Sequence, residues 1–149
     1  KHIGASDERL YRALLVSDLV TIHQKTGIGR LSAYCGAVSA GCGAGAGIAY
    51  LLGGDYRAIA HTIVNAVAIL SGTICDGAKP SCAAKIASAV EAGILGYYMY
   101  VNDQQFRGGD GIVAKGVENT IRNVGLLASQ GMKQTDRVIL NIMTGDQCL

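Results

Sequence analysis

The sequence predicts an all-α protein: a compact helical domain of about six helices, several of them buried and rich in glycine and alanine. Apolar residues recur at spacings of three and four, and glycine or proline interrupts these stretches. No segment alternates convincingly with the period of two that marks a half-buried strand. With 149 residues, no linker and no solenoid repeat, the chain is predicted to form one domain over residues 1–149.

The first predicted helix begins at Asp7. Ser6 is well suited to cap its amino end, and acidic residues in the first turn complement the helix dipole. Gly27 and Gly29 mark its end. Polar residues interleave with apolar residues that recur at helical spacing. Those apolar residues are Leu10, Leu14, Leu15, Leu19 and Ile22.

Two stretches with almost no charge follow, and each is predicted to form a buried helix. Residues 31–52 consist mostly of small residues, with glycine at alternating positions in the middle. This stretch lacks the Lys-Ser/Thr pair of a phosphate-binding P-loop, so the glycines indicate close backbone contact with a partner helix or a cofactor. Residues 56–74 form the next helix. Both stretches approach the length of a membrane span, which leaves a small membrane protein as an alternative to helices buried in a bundle.

Residues 75–80 interrupt the helices, because Gly77 and Pro80 together prevent a continuous helix. Pro80 suits the first position of the helix that follows. A polar loop is predicted over residues 102–111. Further helices are predicted over residues 81–99, 112–129 and 135–143. The helix over 112–129 is amphipathic, and its apolar side consists of Val113, Val117, Ile121, Val124 and Leu127 or Ala128.

The charge and the cysteine content narrow the class of protein. The net charge is +2, and no run of Lys and Arg resembles a nucleic-acid-binding patch, so no nucleic-acid partner is expected. Five cysteines cannot all pair within the chain, and they suit a reduced, cytoplasmic protein in which some cysteines bind metal. The chain begins with Lys1 and has no signal peptide, so we expect a fragment or a processed product.

Three cysteines stand out by their positions. Cys75 and Cys82 flank a turn, and a chain that folds back between two helices can point both sulfurs inward. Cys35 lies near the predicted start of a helix. The spacing of Cys75 and Cys82 matches no common zinc or ferredoxin pattern, so metal binding and a structural role both stay open on this evidence. Cys42 is expected to be a small buried hydrophobic residue.

Two charged residues of the turn are candidates for a role near the sulfurs. Asp76 either accepts a hydrogen bond from the backbone or Lys79 and so helps to position the site, or it serves as a turn or cap residue. Lys79 either attracts a carboxylate-bearing substrate or is merely solvated, and its place between two candidate ligands favours the first. His23 and His61 lie on apolar helices, where a hydrogen-bonded core histidine is the simpler interpretation.

Residues 72–86 read Gly-Thr-Ile-Cys-Asp-Gly-Ala-Lys-Pro-Ser-Cys-Ala-Ala-Lys-Ile. This stretch resembles the signature of the bacterial and archaeal L-cysteine desulfidase-like family. That family is related to the oxygen-sensitive iron–sulfur L-serine dehydratases, in which the corresponding stretch begins Cys-Asp-Pro. Other segments agree in the same order, so the resemblance covers nearly the whole chain. They are residues 31–36, 47–54, 117–125 and 135–143.

The resemblance implies a cofactor and a reaction. In that family three cysteines bind a [4Fe–4S] cluster and leave one iron open, and the matching positions here are Cys35, Cys75 and Cys82. The implied reaction is β-elimination on a small amino-acid substrate, L-cysteine or L-serine, to give pyruvate and ammonia, with sulfide from cysteine. Cys148, near the carboxyl terminus, is a candidate fourth ligand to the open iron, with an ordinary terminal residue as the alternative.

The resemblance also implies a partner. Family members carry a longer amino-terminal region with a Gly-Ser-Gly-Asn-Gln-Gly segment and a catalytic cysteine, and neither occurs in these 149 residues. We therefore expect the catalytic base in another part of the enzyme, on the same polypeptide or a separate subunit, and we expect these residues alone to be inactive. A homodimer and a non-catalytic helical interaction module stay open as alternatives.

Overall fold

The computed structural model describes residues 3–145 and confirms the predicted all-α class. Within this range it contains six α-helices and no β-strand. A short π-helical turn, Leu127–Gly131, joins the fifth helix to the sixth. The helices are α1 Asp7–Ile28, α2 Gly36–Leu51, α3 Tyr56–Leu70, α4 Ser81–Val101, α5 Val117–Leu126 and α6 Lys133–Thr144.

The two ends of α1 follow from local chemistry. The Ser6 side chain accepts a hydrogen bond from the Arg9 N–H at 3.3 Å, and Asp7 and Glu8 occupy the first turn. Gly29 ends the helix with a φ of +90°, a conformation that residues with a side chain rarely adopt. The predicted start and end of this helix are therefore confirmed.

Helix α2 lies at the centre of the fold, packed against α1, α3 and α4. Its glycines bring the helix backbones close together: a Cβ atom added to Gly45 would lie 2.6 Å from the Cα atom of Gly93 in α4. A Cβ atom added to Gly47 would lie 2.8 Å from the Ala13 carbonyl oxygen in α1. The predicted close contacts are therefore made with partner helices. No helix among residues 3–145 is long and apolar enough to cross a membrane.

Helix α2 begins directly after Cys35, so the predicted helix start at this residue is confirmed. The helix does not cover the whole stretch 31–52, and α3 ends before Ile74, because the segments beside them form other hydrogen bonds. Residues 31–35 are not helical: the Ser32 hydroxyl accepts a hydrogen bond from the Tyr34 N–H and donates one to the Ala128 carbonyl. The chain after α3 also leaves the helix, and Ile74 pairs with Tyr34 in an antiparallel backbone bridge. This bridge joins two segments that are distant in the sequence.

Helix α5 begins later than predicted because the preceding loop is hydrogen-bonded to the helix. The Thr120 hydroxyl bonds both the N–H and the carbonyl of Ala114. Helix α6 begins slightly earlier than predicted, at Lys133, directly after the π-helical turn. The predicted apolar side of this region is largely confirmed, since its buried members are Val113, Ile121, Val124 and Ala128.

Helix α1 buries only part of its surface. Ala13, Gln24 and Ile28 are buried against the rest of the fold. The apolar residues at helical spacing face outward instead, each between 42% and 64% exposed. They are Leu10, Leu14, Leu15, Leu19 and Ile22, with Tyr11 beside them. We call these six residues the α1 outer face; a contiguous apolar surface of this kind is typical of a contact with another part of a protein.

Candidate functional site

The backbone bridge after α3 brings two of the predicted cysteine ligands together. The Cys75 N–H donates to the Ala33 carbonyl at 2.6 Å, and the Cys35 N–H donates to the Thr73 carbonyl at 3.2 Å. Because side chains alternate along extended segments, Cys35 and Cys75 share one side of this pair. The two residues are diagonal neighbours across the pair, and the Cα atoms of such neighbours are typically about 7–8 Å apart. Two cysteines from distant parts of the chain are thus neighbours.

The third predicted ligand, Cys82, lies in the first turn of α4. Its sulfur is 3.6 Å from the Gly77 carbonyl oxygen, across the turn that separates it from Cys75. Gly77 has a φ of +89°, and a Cβ atom there would lie 2.9 Å from the Met143 side chain of α6. The positive φ favours glycine, whereas the flexible end of the Met143 side chain could move to admit a Cβ atom. The turn therefore holds Cys82 close to the segment that carries Cys75.

Lys85, a residue that was not predicted from the sequence, joins α4 to the segment that carries Cys75. Its ammonium group donates to the Ile74 carbonyl at 2.9 Å and to the Asp76 carboxylate at 2.7 Å. The pKa of Lys85 is raised chiefly by its hydrogen bond to Asp76, and further by the nearby thiols of Cys35 and Cys82, against the opposing effect of burial. One signal was available: Lys85 follows Cys82 by three residues and so shares its helix face.

Asp76 forms ion pairs with two lysines. Its carboxylate accepts hydrogen bonds from Lys79 and Lys85, and these bonds lower the pKa of Asp76 to about 2. Asp76 does not cap α4, whose cap position is occupied by Pro80 without a side-chain hydrogen bond. Of the two interpretations from the sequence, the hydrogen bond from Lys79 is present, and the role of Asp76 in positioning a cofactor stays a prediction.

The other cysteines have different surroundings. Cys42 is fully buried in the core, and burial raises the pKa of its thiol to about 12, so the predicted role as a small hydrophobic residue is confirmed. Cys148 lies outside the described residues. Among residues 3–145 no three His, Cys, Asp or Glu side chains form a group that could hold a metal ion. The convergence of the Cys35, Cys75 and Cys82 sulfurs to within about 7 Å stays a prediction.

The histidines differ from the predicted core residues. His23 is exposed and pairs with the Glu118 carboxylate at 2.8 Å, so the core interpretation is wrong for this residue. Helix α1 turns this side chain outward, where it reaches the start of α5. His61 is partly buried and stacks on Tyr100 with ring centres 5.0 Å apart. Its Nδ1 atom is buried and has no hydrogen-bond partner among the described residues, so it is not a satisfied core histidine either.

Comparison with known families identifies the class of protein. The structure is a helical fold in which the segment that carries Cys35 pairs with the segment that carries Cys75. The sequence profile of the serine dehydratase alpha chain family matches residues 1–141. The chain therefore belongs to the serine dehydratase alpha chain family.

The similar proteins are longer than this chain. A UPF0597 protein of Desulfitobacterium hafniense is 70% identical over 146 residues, which cover 98% of this chain and 34% of that protein. UPF0597 proteins of Finegoldia magna and Treponema denticola are 56% and 52% identical, and the matches cover 91% and 95% of this chain and 33% of each relative. The chain thus spans about a third of the relatives' length. No solved structure matches it.

Proposed function

We propose that this chain is the cluster-binding part of a [4Fe–4S] amino-acid lyase. The reaction is β-elimination on L-cysteine or L-serine, which gives pyruvate and ammonia, with sulfide from cysteine. The observation that carries the proposal is the backbone pairing that sets Cys35 beside Cys75, in a chain of the serine dehydratase alpha chain family. The proposal places the enzyme in the cytoplasm, where free thiols stay reduced.

The donor chemistry of the site fits the proposed cofactor. Cys35, Cys75 and Cys82 are free thiols, and thiolates are the ligands that iron–sulfur clusters take. These three residues would hold the cluster, which when bound supplies a Lewis-acidic iron for the substrate's carboxylate and leaving group.

The two lysines that pair with Asp76 have different surroundings. The Lys85 side chain is 23% exposed and bonds the backbone of the Cys75 segment, whereas Lys79 is 43% exposed and bonds only Asp76 among the described residues. Lys85 therefore holds the Cys75 segment against α4. Lys79 lies nearer to solvent, where its charge attracts the carboxylate of an incoming amino acid.

Iron and acid-labile sulfide analysis of the full-length protein, purified without oxygen, tests the proposal. We expect about four iron and four sulfide per chain, as the formula of a [4Fe–4S] cluster requires. Pyruvate should form from L-cysteine or L-serine with the full-length protein and not with the 149-residue chain alone. A folded full-length protein without iron would contradict the proposal and favour the non-catalytic interaction module.

Replacing the two lysines separately should distinguish their roles. We expect Lys85→Met to lower cluster content and activity by about tenfold or more, as loss of a residue that orients metal ligands does. We expect Lys79→Met to leave the iron content unchanged and to raise KM for the amino acid. The two variants are matched, since each removes one positive charge that pairs with Asp76. Equal iron loss in both variants would show that only the charge of the region matters.

The α1 outer face is proposed to contact the rest of the full-length protein. The Desulfitobacterium relative carries about two thirds of its polypeptide beyond the matched region, which is ample to cover this face. Tyr11, Leu15 and Leu19 follow one another at intervals of four residues, so they form a continuous stripe along the helix. We therefore assign the remaining polypeptide, the part expected to carry the catalytic base, as the occupant of this face.

The double change Leu15→Glu with Leu19→Glu should loosen the full-length protein. Covering two leucines stabilises by roughly 1.5–3 kcal/mol each, and glutamates in their place would be desolvated as well. We expect a lower Tm and faster cleavage by added protease between the helical domain and the rest. Leu31→Glu is the control, because Leu31 is 92% exposed and lies outside the α1 outer face. An unchanged Tm in the double variant would show that the remaining polypeptide does not cover the α1 outer face.

A further inference from the structure

A cavity of about 390 Å³ lies at the start of α3, away from the cysteine residues. It is lined by the amino-terminal half of α3 and by the chain between α4 and α5, and it opens to solvent. Val64, Phe106 and Val117 give it an apolar side. Its polar lining consists of Arg57, His61, Gln105, Arg107 and Lys115.

The charged side chains that line this cavity are all positive. Arg57, Arg107 and Lys115 line it, and none of the three forms an ion pair with the residues that the structure describes. No Asp or Glu is among its lining residues. Three cations gathered around one concave surface repel one another, and this repulsion is relieved when a negative charge enters.

Two buried polar atoms in the lining lack partners. His61 Nδ1 and Gln105 Oε1 are both inaccessible to solvent, and neither forms a hydrogen bond within residues 3–145. Because a water-sized probe does not reach either atom, a ligand in the cavity contacts the positively charged side chains rather than these two atoms. The amino end of α5 also favours an anion, because Gly116, which precedes the helix without a side-chain cap, lines the same cavity.

The cavity is separate from the proposed cluster site. His61 lies in the second turn of α3, and Cys75 follows the opposite end of that helix. The ten helical residues from His61 to Leu70 are nine steps of 1.5 Å and so span about 14 Å. A molecule in the cavity is therefore too far from the cysteines to be the same substrate bound at the cluster.

We propose that this cavity binds a small organic anion, with its carboxylate or phosphate group held by Arg57, Arg107 and Lys115. The planar arginine side chains suit the oxygens of either group. The apolar side takes the carbon portion of the ligand. A site at this distance from the cysteines binds a second molecule, which makes it a regulatory or second-substrate site of the protein.

Binding of inorganic phosphate and of propionate to the full-length protein, measured by calorimetry, tests this site. We expect one saturable site for at least one probe, and the preferred probe identifies the anionic group. Arg107→Gln and Lys115→Met should each weaken binding about tenfold, as loss of a charged hydrogen bond does. Arg12→Gln removes the same charge on α1, outside the cavity, and should leave binding unchanged.

The imidazole signals of His61 give a second readout. Burial, Arg57 and Arg107 lower the pKa of His61 in the free protein, and Tyr100 and Gln105 bring no charge to oppose them. A bound anion beside His61 should raise this pKa, so probe binding should tighten as the pH falls through it. The absence of saturable binding of either probe up to about 50 mM, or equal affinity in Arg107→Gln, would overturn the proposal. Iron content is independent of this result, so the lyase proposal is tested separately.

Discussion

Replacing Cys75 by serine in the full-length protein should remove nearly all of the iron, the acid-labile sulfide and the lyase activity that we propose for it. Cys75 is held by a backbone bond to Ala33 and lies beside Cys35, so a hydroxyl at this position leaves two thiols in the site. Serine is a poor ligand for iron–sulfur clusters, which require thiolates. Cys35→Ser and Cys82→Ser should give the same result, whereas the far-UV circular dichroism of all three variants should stay helical.

Cys42→Ala is the matched control for these variants. Cys42 is buried in the core and its thiol stays protonated, so its loss leaves the proposed ligands intact. Removing the sulfur atom creates a small cavity and should lower the unfolding free energy by about 1 kcal/mol without changing the ratio of iron to protein. Equal iron loss in Cys42→Ala and Cys75→Ser would mean that the cysteines act through the fold, and the cluster proposal would fail.

The helices were predictable because their signals are local. The cap at Ser6, the glycine after α1 and the break at residues 75–80 each act within a few residues, and the structure contains all of them. The pairing of Tyr34 with Ile74 was not predictable in this way, because it joins segments forty residues apart that show no strand alternation. The same bridge explains why residues 31–35 are not helical and why α3 ends before Ile74.

The side-chain environments were harder to predict than the helices. Helical spacing identifies an apolar stripe on α1, but spacing does not say whether the stripe faces the core of this chain or another part of the protein. The role of Lys85 could not be predicted, because the position of its carbonyl partner, Ile74, is fixed by the long-range bridge to Tyr34. The cationic cavity also depends on a contact between distant parts of the chain. His61 and Arg107 come together only when the loop after α4 folds back over α3.

The glycines of α2 should have the largest effect on stability. Gly45→Ala places a methyl group 2.6 Å from the Gly93 Cα atom and 3.0 Å from its carbonyl carbon, and these backbone atoms cannot rotate away. The α2–α4 contact must then widen, which costs about 1–3 kcal/mol of unfolding free energy. Thermal melts of the full-length protein should show this as a Tm lowered by several degrees, at about 2–4 °C for each kcal/mol. Gly45→Val should lower the Tm further.

Gly36→Ala separates this steric effect from the ordinary effect of a glycine substitution. Gly36 also lies in α2, but a Cβ atom there meets no heavy atom within 4 Å. Alanine at an open helical position stabilises by about 0.5–1 kcal/mol relative to glycine, so this variant should melt at the same temperature or slightly higher. If Gly45→Ala also melted unchanged, α2 and α4 would not be in backbone contact, and the central packing of the fold would need a different account.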